Sequence, residues 1–315
     1  RYLEDGLKDR AMSRDIEWGV PIPVTGYNQK RIYVWFEAVV GYLSASKEWA
    51  QHQGDPEMWR EFWQNPLSRA YYFMAKDNVP FHTIIWPAML LGYTDHNLPY
   101  DIPSNEYLTL ERRKFSTSQN WALWLTDYLS RYEPDPLRYF LSANMPETGD
   151  SDFSWSEFVR RNNDELVATY GNLVHRVLTI THRQFDAKVP HSGELDDADR
   201  SMLQKSMSAL EEIGNSLSNC HFKEAVRSFL LLAQETNRYL DAKAPWKTVK
   251  TDKVAAATTL WVCLNVISCL KTLTYPFMPF SAHKLHSLLG FQGSPEEVGW
   301  NIQEVMSGQA IPQPQ

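Results

Sequence analysis

Ala75-Lys76-Asp77-Asn78-Val79-Pro80-Phe81-His82-Thr83-Ile84-Ile85-Trp86-Pro87, entered from the aromatic run at residues 71–74, decides how the chain folds. Residues 71–74 read as a short strand, and the segment after the polar triplet 76–78 reads as the start of an apolar helix. A strand that hands polar groups to a helix start is α/β character, and ligands of open α/β sheets gather at the carboxyl ends of strands. Upstream, residues 32–36 read as a second strand whose end leads into Glu37-Ala38-Val39-Val40-Gly41-Tyr42. A tryptophan in such a place, here Trp35, serves either core or pocket, and the strand-end position favours the pocket.

The polar triplet carries chemistry. A buried aspartate left unpaired is costly, so Asp77 is a natural partner for a ligand ammonium. Phe81 and Trp86 can line an aromatic slot for an apolar ligand group. His82 lies one helical turn before Trp86 on the same face. It acts either as a ring N–H donor to such a ligand or as a satisfied core histidine. A second concentration, Arg112-Arg113-Lys114-Phe115-Ser116-Thr117-Ser118, reads as an exposed loop. Its cations, hydroxyls and backbone N–H groups suit the oxygens of a leaving pyrophosphate.

With 315 residues, 43% of them hydrophobic, and 12 tryptophans, the chain can bury a large core and form two or three domains. Cys220, Cys263 and Cys269 show no Cys-x-x-Cys spacing, which argues against a disulfide framework or a cysteine-rich metal site and for a reducing, cytoplasmic setting. The apolar run 255–270 is shorter than a bilayer span and holds Asn265 and Ser268, so it reads as a buried helix and no membrane partner is expected. A net charge of −7 argues against nucleic acid as a chain average. Arg160, Arg161, Arg176, Arg183 and Arg238 leave room for a local basic patch.

Three regions separate by pattern: residues 1–103 with α/β character, a small proline-broken connecting module at 104–153, and a helical region at 154–315. Ser154-Trp155-Ser156-Glu157 has capping-box spacing at the head of the last. Across residues 166–180 apolar side chains recur at helical spacing, with Asn172 and Arg176, four apart, on the other side as neighbours on the solvent face. Amide and guanidinium groups so placed, together with an aromatic such as Trp246 after Pro245, can read and stack unpaired bases. Pro276 and Pro279 end the helix through 260–273, a shorter one comes next at 281–289, and the tail after Gly308 is expected to be disordered.

Ser13-Arg14-Asp15-Ile16-Glu17-Trp18-Gly19-Val20-Pro21-Ile22-Pro23, Tyr33-Val34-Trp35-Phe36-Glu37-Ala38, the segment 75–87, Lys114–Ser118 and Pro146-Glu147-Thr148-Gly149-Asp150-Ser151-Asp152-Phe153-Ser154-Trp155 occur here in one order. In that order they resemble the methionyl-tRNA synthetases among the class I aminoacyl-tRNA synthetases, over nearly the whole chain. The resemblance implies an incomplete Rossmann-type α/β catalytic portion joined through a small α+β module, the stem-contact module, to an all-α anticodon-binding bundle. It implies activation of L-methionine by ATP, brought with Mg2+, to methionyl-adenylate, followed by transfer to tRNA(Met).

By this resemblance Trp35, Ala38, Tyr42, Asp77, Asn78, Phe81, His82 and Trp86 line the methionine site. Lys114, Ser116 and Ser118 are the catalytic positions of a KMSKS-type signature, and Lys76, Arg113 and Thr117 are further ATP contacts. Asn172, Arg176, Pro245 and Trp246 read a CAU anticodon. Three positions depart from the family's commoner pattern: Glu37 and Val39 stand for aspartate and proline, and Thr117 for a second lysine. Arg113 or Lys76 is expected to supply the lost phosphate contact, and Arg14 is expected to pair with Asp15 or Glu17.

The chain begins at Arg1 and reads as the interior of a longer polypeptide, whose N-terminal catalytic half, with the HIGH signature, is the expected partner. Zinc, where the family has it, belongs to that half, and no metal site is expected here. Residues 1–315 alone are therefore expected to be inactive in adenylate formation. The alternatives are a related class I synthetase for valine, leucine or isoleucine, and a non-catalytic tRNA-binding module.

Overall fold

The computed structural model describes residues 4, 6, 7, 9–93 and 95–313. The chain divides into two compact units, residues 1–105 and residues 106–315.

In the first unit, β1 (Ser13–Arg14) pairs antiparallel with β2 (Arg31–Ile32). Helices α1 (Val34–Ala38), α2 (Val40–His52) and α3 (Arg60–Trp63) come next. The strand expected at 32–36 is therefore only its first residue. Tyr33 is extended, and the chain then turns helical at Val34. Strand preference is a preference for a pleated, half-buried surface, and beyond Ile32 no strand among the described residues pairs with this run. The second expected strand is also short. Tyr71 makes a single bridge to Asp101, and β3 (Met74–Ala75) runs parallel to β4 (Ser104–Asn105). After β3 come a 3₁₀ turn at Lys76–Asn78, a π-helix at Phe81–Ile85 and α4 (Trp86–Tyr93). The core is Val39, Leu43, Ala50, Trp59, Trp63, Trp86 and Leu90. Two of its tryptophan N–H groups are satisfied by side chains, Trp63 donating to Ser46 Oγ at 2.9 Å and Trp86 to the Tyr72 hydroxyl at 3.0 Å. The expected Arg14 ion pair is not made. Its guanidinium lies 3.8 Å from the centre of the Tyr33 ring, while Asp15 pairs with Lys30.

The second unit opens with a three-stranded sheet ordered β6 (Arg113–Lys114), β5 (Leu108–Leu110), β7 (Ser151–Phe153). Helices α5 (Leu125–Leu129) and α6 (Pro134–Ala143) lie between β6 and β7 in the chain. Leu110, Tyr128, Leu137, Phe140 and Phe153 form a local core. Then α7 (Trp155–Arg161) starts at Ser154, whose hydroxyl accepts the Glu157 N–H. Only this half of the expected capping box forms. The Glu157 carboxylate instead takes Arg160 and Arg161, and the Arg160 guanidinium holds it far below the usual carboxylate range, at about 2.

A π-helix at Asn162–Gly171 continues into α8 (Asn172–Gln184). Helices α9 (Asp197–Ser218), α10 (Phe222–Lys243), α11 (Pro245–Thr248), α12 (Lys253–Thr274), α13 (Pro279–Leu288) and α14 (Pro295–Val298) complete the bundle. Its shared core gathers Leu173, Val177 and Leu178 of α8 with Phe229, Leu240 and the apolar length of α12. The apolar run 255–270 is accordingly buried in the bundle, as are Cys263 and Cys269, while Cys220 is half-buried.

Of the tail after Gly308, residues 309–313 are docked rather than disordered, and 314 and 315 lie outside the described residues. Ile311 is buried, donates to the Ala187 carbonyl at 2.8 Å and accepts from His182 Nε2 at 2.7 Å. A polar composition hid one apolar anchor and the backbone pairing around it.

Lys271 lies fully buried on α12, with Nζ 3.1 Å from Gln303 Oε1 and 3.5 Å from His286 Nδ1. Burial pulls its pKa from 10.5 down to about 8. Between about pH 8 and 10.5 the unfolded chain therefore binds more protons than the folded one, so stability rises with pH in that window and the deficit is fully present below it. Lys271→Met is expected to stabilise the fold at pH 7 by on the order of 1 kcal/mol and to flatten this rise. Chemical denaturation at pH 7 and 9 measures both.

Candidate functional site

In the first unit the residues of the segment 75–87 gather around one aromatic nest. His82 on the π-helix and Trp86 at its end are buried. Tyr42, from α2, brings its hydroxyl 3.0 Å from His82 Nε2, and His82 Nδ1 lies 3.0 Å from the Asn78 carbonyl. The ring centres of Tyr42 and Trp86 are 6.3 Å apart. Tyr72 joins them, 5.4 Å from Tyr42 and 5.7 Å from His82 between ring centres, and accepts the Trp86 N–H. Burial raises the Tyr72 pKa, which keeps this hydroxyl neutral. Phe81 packs against the same core. Tyr72 was legible only as part of a strand, yet its alternation with Tyr71 could have marked it as the inward-facing member.

Other predicted members stand at the surface of this unit. Trp35 is 51% exposed, and Ala38 and Asp77 are not buried. Asp77 is thus no buried orphan, and Asp77 and Lys76 both have partners within the structure. Glu37 Oε2, by contrast, is buried without a hydrogen-bond partner.

In the second unit Lys114 lies on a strand of a hairpin rather than in a loop. Leu110 pairs with Arg113 and Thr109 with Lys114 across a two-residue turn, Glu111-Arg112, in which both residues have positive φ, 50° and 61°. A second tight turn brings Ser116 opposite Trp121, with backbone hydrogen bonds both ways. The Ser116 and Ser118 hydroxyls are 3.2 Å apart, and Ser116 Oγ also accepts the Gln119 N–H. Ser118 and Lys114 are exposed. Strand neighbours face opposite ways, so Arg113 does not stand beside Lys114. Its guanidinium lies 4.2 Å from the centre of the Trp121 ring, on the side of the local core.

The bundle assembles a third constellation. Arg176 is half-buried, not on an open solvent face. It donates to Asp241 at 2.6 Å, reaches Asn237 Oδ1 at 3.5 Å and lies 5.0 Å from the centre of the Trp246 ring. Trp246 is held there by an unusual corner. Ala244 caps α10 in the left-handed region, φ 42°, and Pro245 starts α11. Asn172, one turn before Arg176, stays exposed and lines a separate cleft with Leu166, Tyr170 and His175. Asn237 and Asp241, which orient Arg176, lie just upstream of Trp246, and sequence reasoning gave them no role. Their i, i+4 spacing was the available signal. Four of the arginines that left room for a local basic patch pair with carboxylates, Arg160 and Arg161 with Glu157, Arg176 with Asp241 and Arg238 with Glu235.

The chain belongs to the family described as tRNA synthetases class I (M), whose model matches residues 1–178. A second model, the anticodon binding domain of methionyl tRNA ligase, matches residues 189–315. Among curated relatives, a methionine–tRNA ligase of Dehalococcoides mccartyi is 57% identical over all 315 residues, which cover 57% of that relative. One from Thermomicrobium roseum is 53% identical over 292 residues, covering 92% of this chain and 50% of the relative. The chain thus spans little more than half the length of these proteins. A solved structure of Mycobacterium tuberculosis methionyl-tRNA synthetase in complex with methionyl-adenylate matches 100% of this chain and 61% of its own, with TM-score 0.86 and 28% identity.

Proposed function

We propose that the protein to which this chain belongs is a methionine–tRNA ligase: it joins L-methionine to ATP as methionyl-adenylate, releasing pyrophosphate, and passes the methionyl group to tRNA(Met), releasing AMP. The observation that carries this reading is the 57% identity over the full chain to a protein of that name. The methionyl-adenylate held by the M. tuberculosis relative supports the first step.

In the first unit, the nest of Tyr42, Tyr72, His82 and Trp86 suits an unbranched thioether, and Trp35, Ala38, Asn78 and Phe81 extend it. Asp77, at the surface beside it, meets the ammonium of methionine. In the second unit, Lys114 neutralises charge on the departing pyrophosphate, and the hydroxyls of Ser116, Thr117 and Ser118 bond its oxygens. Lys76 and Arg113 are secondary ATP contacts, and Arg113 must leave Trp121 to act as one. The carboxylate of methionine attacks the α-phosphate directly, so no covalent enzyme intermediate is required, and positioning supplies most of the acceleration. In the bundle, Trp246 stacks a base while Arg176 and Asn172 present donors to base edges, with Pro245 setting the corner. ATP brings Mg2+ as part of the substrate. Among the described residues no three His, Cys, Asp or Glu side chains come together as a metal cluster.

The full-length protein is expected to catalyse methionine-dependent ATP–pyrophosphate exchange and to charge tRNA bearing a CAU anticodon. Residues 1–315 alone are expected to give no exchange. Equal exchange with valine, leucine or isoleucine would overturn the assignment.

A further inference from the structure

Across the sheet β6-β5-β7, Lys114 stands opposite Thr109, and Thr109 opposite Asp152. Residues directly opposite one another share a sheet face, so the three side chains form one row. The other face carries Leu110 and Phe153, both buried. Within the row, Asp152 Oδ1 accepts the Thr109 hydroxyl and also the backbone N–H of Arg112, the latter at 2.6 Å. The carboxylate is thus bound to the strand beside Lys114 and to the turn that leads into it.

That turn is costly. Glu111 and Arg112 both sit at positive φ, and neither is the glycine or asparagine such hairpin turns favour. Left-handed residues of this kind persist only where their surroundings hold them. The holding groups come from β7 and the start of α7. The Phe153 carbonyl accepts from Glu111 N–H at 2.8 Å, Asp152 accepts from Arg112 N–H, and Trp155 N–H donates to Glu111 Oε1 at 2.9 Å. Asn144, at the end of α6, fixes the strand in turn by donating to the Asp152 carbonyl at 2.7 Å. The Lys114 side chain makes no hydrogen bond or ion pair among the described residues, so its direction is set by the backbone that carries it.

The geometry points to Asp152 as the positioning residue of Lys114: its carboxylate locks the strained Glu111-Arg112 turn and thereby fixes where the Lys114 ammonium stands. This rests on the phosphate role given to Lys114. Hydrogen bonds to a carboxylate are the stronger kind, and their loss next to a strained turn releases it.

The test is a double-mutant cycle in the full-length protein, read as ATP–pyrophosphate exchange. Asp152→Ala is expected to lower kcat by about tenfold or more, with the KM for methionine within about twofold of the parent and tRNA binding by the bundle retained. Asp152→Asn, which keeps an oxygen acceptor, recovers part of the loss. In a Lys114→Ala background, Asp152→Ala adds less than about twofold, because the group it positions is gone. If Lys114→Ala is severe while Asp152→Ala matches the parent, the inference on Asp152 fails and the Lys114 reading stands. If Asp152→Ala costs as much in the Lys114→Ala background as alone, its role is general to the fold and the inference is overturned. If Lys114→Ala leaves exchange intact, the Lys114 reading fails and the inference with it.

Discussion

Lys114→Ala in the full-length protein is expected to lower methionine-dependent ATP–pyrophosphate exchange by about 100-fold or more, the scale on which removal of one preorganised charge-stabilising donor is felt. The loss falls on kcat, because pyrophosphate gains its charge only as the bond to the α-phosphate breaks. Lys114→Arg retains the charge but spreads it over a planar fork on a shorter aliphatic stem, and is expected to recover only part of the rate. Lys114 is exposed and has no side-chain partner among the described residues, which makes a folding defect a poor alternative, and an unchanged melting temperature checks this. A loss expressed only as a raised KM for ATP would instead make Lys114 a ground-state binder.

Trp246→Ala is expected to weaken binding of tRNA with a CAU anticodon by about tenfold or more, from the roughly 1–3 kcal/mol of one base stacked on an aromatic ring. A tRNA with an altered anticodon should lose much less. The ring also flanks the Arg176–Asp241 pair, so the alanine variant loosens the guanidinium as well. Trp246→Phe separates these effects: it keeps a stacking face and should keep most of the discrimination. Binding titrations at fixed salt measure all three proteins, and equal losses for both tRNAs would remove the anticodon role.

The sequence carried the helical half of this molecule well. Apolar spacing across 166–180 marked residues that reach the bundle core, Val167 excepted, which the π-helix leaves exposed, and Pro276 and Pro279 marked where α12 stops. Strands were harder to read. Residues 32–36 have the β-branched and aromatic composition of a strand, but pairing is decided by a distant partner, and only Arg31–Ile32 found one. The proposed site residues differ in how far their placement depends on other elements. His82 and Trp86 share a local face and could be paired from spacing. The contacts of Tyr72 and Asp152 close only when distant segments meet, so neither was singled out. The positive φ of Glu111 and Arg112 left no mark in composition, since neither residue advertises a turn.

The wide helical turn at Asn162–Gly171 sets the rotational phase of α8, which continues from it. One residue gained or lost in an α-helix rotates the side chains beyond it by about 100°, and π segments carry such an inserted residue inside an otherwise continuous rod. Arg176 meets Asp241 and Trp246 because α8 leaves that segment at one rotational setting. The length of this stretch therefore works as a dial. A single-residue deletion between 162 and 171 could leave every named contact residue in the chain and still aim the guanidinium away from its ring.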